Sequence, residues 1–249
     1  MVKEGEINYL RNIGKEGIKH ASRKPFSDNN CGPALSQIGA IFSLIPEPPK
    51  KLLDVGCGTG WTSIFFAKRG YDVLGIDISP DMVNIALKNA KKENIKNIIF
   101  KVKDYENINF KENYDIIIFH DSFHHAINEK KALEGAYKSL RNGGVCLLSE
   151  PGYGHSNALA SIRAVSKYNV TEKDVPPFYI IGLAKEIGFK FKLYPRGDVV
   201  NNILYSNYIK SSKIRLIMRL FPYNLAAFLI LSLILVFYKK RDGIVVLTK

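Results

Sequence analysis

The chain has 249 residues, 46% of them hydrophobic, and a formal net charge of +13. Length and apolar fraction suit one domain of ordinary size with a full core and exclude a low-complexity chain. The three cysteines, Cys31, Cys57 and Cys146, are widely spaced and odd in number, which points to a reducing, cytoplasmic compartment; no metal-ligand spacing appears and no metal is expected.

The charge is unevenly spread. Residues 1–51 carry 8 basic and 5 acidic groups, residues 52–150 carry 13 of each, and residues 151–249 carry 15 and 5. The C-terminal excess suggests an anionic partner there, membrane surface or nucleic acid, with a solvated basic face as the plain alternative.

The N-terminal run MVKEGEINYLRNIGKEG lacks an apolar core and does not read as a secretory signal. Residues 1–31 are polar and mixed, and KPFSDNNCGP reads as loop. From Gly32 to Ile45, Leu35, Ile38, Ile41, Phe42 and Ile45 recur at helical spacing until Pro46, Pro48 and Pro49 stop the helix. Residues 1–49 are expected as an N-terminal helical cap, beside the main domain or as a lid over its site.

From Lys51 onward short apolar runs alternate with helical stretches. Strands are predicted at 51–55, 72–77, 97–102, 114–120 and 144–149, and helices at 60–69, 80–92, 128–140 and 178–188. Ser79 and Pro80 form a helix entry signal, and Asn142-Gly143-Gly144 a stop. A short helix is expected around 156–168, and strands at Phe189–Tyr194 and 244–249. Strands that are nearly all apolar and alternate with helices imply a parallel sheet covered on both faces.

The run Lys51 to Ser63, KLLDVGCGTGWTS, is a strand, a glycine turn and a helix start. The turn would lie beyond the carboxyl end of its strand, where open parallel sheets bind ligands, with free N–H groups aimed at the occupant. Its glycines, Gly56, Gly58 and Gly60, follow G-x-G-x-G rather than the dinucleotide pattern G-x-G-x-x-G. Asp54 precedes them and would repel a pyrophosphate but suit an amino group. Asp77 ends the second strand, 21 residues after Gly56, and an acid there accepts hydrogen bonds from a ribose diol. Asp104 follows the third strand, placed to meet the base.

Together LLDVGCGTG, GIDIS, VKDYENINF, YDIIIFHDSFHH and LRNGGVCLLSEPG, from about Lys51 to Gly152, resemble the successive motifs of class I S-adenosylmethionine-dependent methyltransferases. The resemblance implies an α/β fold with a Rossmann-like seven-stranded sheet, mostly parallel with an antiparallel last strand. It implies a core at 50–198, a helical insertion at 199–242 between strands six and seven, and a last strand at 243–249. It implies S-adenosylmethionine as cofactor, with Asp54, Gly56, Gly58 and Gly60 along the methionine moiety, Asp77 on the ribose and Ile78 against the adenine. Asp104 and Tyr105 would meet the adenine edge, and His120 and Asp121 the methionine end.

Methyl transfer from a sulfonium is an in-line displacement, so placing the acceptor atom contributes much of the catalysis. A base is needed only for a hydroxyl or a protonated amine. His124 and His125, just after the fourth strand, and His155, after the fifth, are the candidates.

Between Val199 and Arg241 lie seven basic residues and no acidic one, and Leu225 to Tyr238 is apolar but for one serine. As a helix of 14 residues that run is shorter than a bilayer core of about 30 Å. An in-plane membrane anchor, a dimer interface through 211–240 and a core helix all stay open. The expected function is methyl transfer to a small-molecule, glycan or lipid-linked acceptor, with the protein on the inner face of the membrane if the insertion is an anchor. The alternatives are an RNA methyltransferase, ranked lower because the fourth-strand motif is HDSF, and a non-catalytic cofactor-binding scaffold in a membrane complex.

Overall fold

The computed structural model describes residues 3–28, 31–198, 232–233, 236–237 and 241–249. Among these residues seven strands are present: β1 (Lys51–Val55), β2 (Asp72–Asp77), β3 (Ile98–Val102), β4 (Tyr114–His120), β5 (Leu140–Ser149), β6 (Lys190–Pro195) and β7 (Gly243–Thr248). They form one sheet in the order β3-β2-β1-β4-β5-β7-β6. β7 runs antiparallel to both β5 and β6, and the pairings from β3 through to β5 are parallel. The order reverses at β1, whose neighbours are β2 and β4, which leaves a crevice at their carboxyl ends.

The alternation of side chains along each strand divides the core in two. Leu53 and Val55 of β1, Ile117 and Phe119 of β4, and Val245 and Leu247 of β7 enter one cluster, whereas Leu52, Ile116, Ile118 and Val246 enter the other. The first cluster is closed by α6 (Glu129–Ser139) and α8 (Pro177–Ile187), through Leu133, Ala136, Ile180 and Ala184. The second is closed by α3 (Cys31–Leu44) and α4 (Trp61–Arg69), through Ile38, Ile41, Phe66 and Ala67. Beside it, α5 (Pro80–Lys92) packs Val83 and Ala86 with Phe100 of β3. Both faces of the sheet are thereby covered, which is why its strands read as continuous apolar runs.

Residues 1–31 contain more order than their composition suggests. α1 (Glu4–Asn12) and α2 (Gly14–Ala21) form there, and only the segment after Ala21 is loop. Long-range bonds hold them. The Ser79 hydroxyl donates to the Ile7 carbonyl at 2.9 Å, the Thr59 hydroxyl to the Ala21 carbonyl at 2.7 Å, and the Asn89 amide to the Ser22 carbonyl at 3.2 Å. Ser79 is therefore the residue before α5, as expected, but its side chain fastens α1 instead of capping α5.

The boundary near residue 140 also moves. The helix expected over 128–140 ends at Ser139, and β5 starts at Leu140 instead of 144. Gly143 does not end the pairing; its N–H donates to the Lys249 carbonyl at 3.1 Å, and the ladder with β4 shifts register across this stretch. α7 (Leu159–Tyr168) occupies the excursion after β5. The insertion expected at 199–242, its apolar run at 225–238 and the surface at 211–240 lie outside the described residues, apart from 232–233, 236–237 and 241–242. Among the described residues no helix is long and apolar enough to cross a membrane.

Candidate active site

A cavity of about 610 Å³ opens at the carboxyl ends of β1 to β4, with α1 and α2 across it. Gly56 and Gly58 form its floor. Gly56 has a φ of +68°, and a Cβ there would stand 2.5 Å from the Ser122 Cβ. Gly58 has a φ of +52°, and a Cβ there would meet nothing within 4 Å, so its turn borders open space. Gly60 plays another part. It is not on the cavity wall; a Cβ there would strike Phe100 at 2.7 Å and Ala86 at 2.8 Å, so it lets α4 approach β3 and α5.

Asp54 is also displaced from its expected role. It is 1% exposed, lies behind the loop, and accepts from the Thr62 hydroxyl at 2.7 Å and the Ser63 hydroxyl at 2.5 Å. Both donors sit in the first turn of α4, so the carboxylate fixes the helix start, and its charge reaches the cavity only as a field. Desolvation raises its pKa, and the two hydroxyls oppose that.

Asp77 faces the cavity. Its two oxygens accept from the Gly58 and Ser79 N–H groups, each at 2.9 Å, and each oxygen retains a lone pair for a diol. Burial raises its pKa against those two bonds. Ile78, Asp104 and Tyr105 line the same wall. Asp104 has further duties: it accepts from the Glu106 N–H at 3.0 Å and from the Lys3 ammonium at 2.8 Å, which latches α1's leading edge to the site. The Tyr105 hydroxyl is engaged by the Ser122 carbonyl at 3.0 Å, so its ring, not its hydroxyl, is what the cavity receives.

His120 and Asp121 border the opposite end. The His120 ring meets Trp61 edge-on at 5.8 Å, and its Nδ1 is buried with no hydrogen-bond partner among the described residues. Asp121 takes a left-handed φ of +48°. Desolvation would raise its pKa, but His120 and Arg196 bring it down to about 2.

The three histidines proposed for proton transfer are brought together but not equally exposed. Only His125 reaches the cavity wall. His124 is stacked behind it, ring centroids 4.0 Å apart, and His155 lies 4.8 Å beyond His124. Three carboxylates that carry no sequence signal organise them. Glu150, 2% exposed, accepts from the Ser122, Phe123 and His124 N–H groups and from His124 Nδ1 at 2.8 Å. Glu172, on the cavity wall, accepts from His155 Nε2 at 2.6 Å. Glu6 of α1 lies 3.4 Å from His125 Nδ1 and accepts from the Thr171 N–H at 2.7 Å. Desolvation lowers the His125 pKa, yet Glu6, Glu172 and the Thr171 carbonyl push it up to about 9. A hydrophobic run or glycine turn signals none of these; only the fold brings 6, 125 and 172 together.

A family model described as a methyltransferase domain matches residues 46–195. The chain belongs to this family, the class I S-adenosylmethionine-dependent methyltransferases. Among curated relatives, a putative protein N5-glutamine methyltransferase of Methanocaldococcus jannaschii is 35% identical over 92 residues, 36% of this chain and 46% of that protein. A ubiquinone biosynthesis O-methyltransferase of Psychrobacter cryohalolentis is 31% identical over 107 residues, 40% of each chain. The matches thus span less than half the length of these relatives. Phosphoethanolamine N-methyltransferase 2 of Haemonchus contortus, solved with S-adenosyl-L-methionine, shares the fold with a TM-score of 0.67 at 20% identity, over 98% of this chain and 59% of that one. The cavity fits the cofactor of this family: Asp77 offers acceptors to a diol, Gly58 leaves room at the loop, and His120 Nδ1 awaits a partner.

Proposed function

We propose that this chain transfers the methyl group of S-adenosylmethionine to a hydroxyl or other nucleophile on a small-molecule, glycan or lipid-linked acceptor. The observation that carries this reading is that His125 and Glu172 share one cavity with Asp77 and the glycine loop. The cofactor, when bound, supplies a sulfonium methyl with a good leaving group. Asp77 would hold its ribose, Ile78 and the Tyr105 ring would border the adenine, and Gly56 and Gly58 would let the backbone close on the methionine part.

What remains for the protein is to position the acceptor and manage a proton. Glu172 and His125 border the space left for the acceptor. As an imidazolium, His125 donates rather than accepts, so Glu172 is the group of this wall placed to take a proton; desolvation raises its pKa, but the His155 bond and the charges of the neighbouring histidines hold it below the ordinary carboxylate value. The α1–α2 cover excludes water from the reaction and limits the acceptor to a group that can enter beneath it. The names of the relatives cover both nitrogen and oxygen transfer. A lipid-linked acceptor on the membrane's inner face draws its support from the seven basic residues beside the apolar run within 199–241.

Transfer to RNA is the second reading, favoured by the basic excess of residues 151–249. Incubation with methyl-labelled cofactor, a membrane extract and total RNA separates them. Label in a lipid-phase or small-molecule product is the expected outcome. Label in RNA replaces it with the second reading, and cofactor binding without any label assigns a non-catalytic scaffold.

A further inference from the structure

His124, His125 and Glu172 offer ligand atoms that all lie within 4.8 Å of one another. Both imidazoles are oriented from behind, as metal-bound histidines are. Nδ1 of His124 donates to Glu150 at 2.8 Å, and Nδ1 of His125 to the Thr171 carbonyl at 2.5 Å. Both oxygens act as acceptors here, so both Nδ1 atoms carry the proton and Nε2 is the nitrogen of each ring left for an ion, which on His125 displaces the second imidazolium proton to solvent. Glu150 is itself pinned by three backbone N–H groups, which fixes the His124 ring.

The spacing is close to that of a bound ion. His124 Nε2 stands 3.7 Å from Glu172 Oε2. Two ligands bonded at about 2.0–2.1 Å to one tetrahedral ion are about 3.4 Å apart. The same Oε2 accepts from His155 Nε2 at 2.6 Å, so His155 orients the carboxylate from outside the cluster and the oxygen keeps a second lone pair for an ion. Glu6, Glu150 and Glu172 give the cluster a negative field that a dication would offset.

We propose that His124, His125 and Glu172 form a binding site for a divalent transition ion of the zinc class. Two imidazoles and one carboxylate suit such an ion, whereas magnesium and calcium prefer oxygen ligands. His125 and Glu172 face the cavity and His124 backs them, so the open coordination position points to where the acceptor arrives. The ion's role, to hold and orient an acceptor oxygen, rests on the methyltransferase reading; the site itself rests on the side-chain geometry.

The tag-free full-length chain, stripped with a chelator, is titrated with Co²⁺ at neutral pH without any methyl donor, by visible absorption and calorimetry. One equivalent is expected to bind, with the ligand-field bands of a nitrogen-containing, low-coordinate site. Glu172→Gln and His125→Gln should each weaken it at least about tenfold, and Glu150→Gln about 10- to 100-fold, because an outer carboxylate tunes its histidine. X-ray absorption on the wild-type cobalt complex should show imidazole scattering, a readout independent of how well the variants fold. No saturable binding, unchanged affinity in both ligand variants, or a complex without imidazole scattering overturns the site. S-adenosylhomocysteine binding is measured in parallel. Its retention without Co²⁺ binding sinks the ion site alone; Co²⁺ binding without it sinks the methyltransferase reading alone.

Discussion

Replacing Glu6 by Gln should move the titration of His125 and the pH dependence of stability with it. In the folded chain His125 is lifted from 6.5 to about 9; desolvation works against this, and the Glu6 bond and charge are the largest contributions in favour. That difference corresponds to about 3 kcal/mol at roughly 1.4 kcal/mol per pH unit. The folded value lies above the unfolded one, so this stability is fully present below pH 6.5 and is lost as pH rises through about 9. The Gln side-chain oxygen can still accept from the Thr171 N–H, bonded to Glu6 at 2.7 Å in the native chain, so the change isolates the charge. Removing it should return His125 toward its ordinary range and lower stability on the acid side by about 2 kcal/mol, a fall of roughly 4–8 °C in Tm for a chain of this size. Above the His125 titration, wild type and variant should melt alike. The assay is thermal unfolding of metal-free protein on both sides of the titration, with the His125 Cε1–H resonance followed by NMR. A wild-type His125 that titrates near 6.5, or a variant equally destabilised at both ends, would refute the reasoning.

Three further outcomes follow from the same geometry. Gly56→Ala should lower stability by about 2–5 kcal/mol, from the left-handed φ and the clash with Ser122, which is tied to the Val55 carbonyl and cannot yield; denaturant unfolding reads the loss. Asp77→Asn should weaken S-adenosylhomocysteine binding about 10- to 100-fold in calorimetry, because an amide can accept only one of the two N–H bonds and carries no charge; an unchanged Kd removes Asp77 from the site. His155→Ala frees Glu172 and should lower turnover more than cofactor affinity, and unchanged turnover with the true acceptor removes His155 from the mechanism.

The legible parts of this protein are those whose causes are local. β1 and β4 announce themselves because both faces of the sheet are buried, so Leu52, Leu53, Ile116, Ile117 and Ile118 form unbroken apolar runs. The glycine turn is visible because left-handed φ values at 56 and 58 favour glycine, and at 56 a Cβ would also strike Ser122. Asp77 is visible because it ends the next strand. The places along the cofactor that the family resemblance implied for Asp54 and Gly60 are different in the folded chain, since strand alternation and helix packing turn them away from the cavity. The true start of β5 is hidden because Gly143 pairs with Lys249, a partner at the far end of the chain. The bounds of α1 and α2 within the expected helical cap are hidden for the same reason: no side-chain cap bond starts either one, and bonds from 59, 79 and 89 hold them and the residue after them.

The helix that sequence patterning hides most completely is also the one that couples the two ends of the cavity. α1 is latched on the cofactor side by Lys3, just before its first residue, which pairs with Asp104 at 2.8 Å and Glu106 at 2.6 Å. On the acceptor side the same helix contributes Glu6 to His125 and Thr171. The Lys3 pairs are partly exposed, so each contributes about 1 kcal/mol or less, and the Glu6–His125 pair holds the cover by about 2 kcal/mol more while His125 is charged. Lifting it removes the Glu6 charge from His125, and the imidazole then holds its proton less tightly. Linkage runs both ways: a proton on His125 holds α1 down by the same free energy that α1 contributes to holding the proton. Closure over the cofactor and the charge at the acceptor end are therefore one equilibrium, carried by a carboxylate in a helix whose sequence shows no motif.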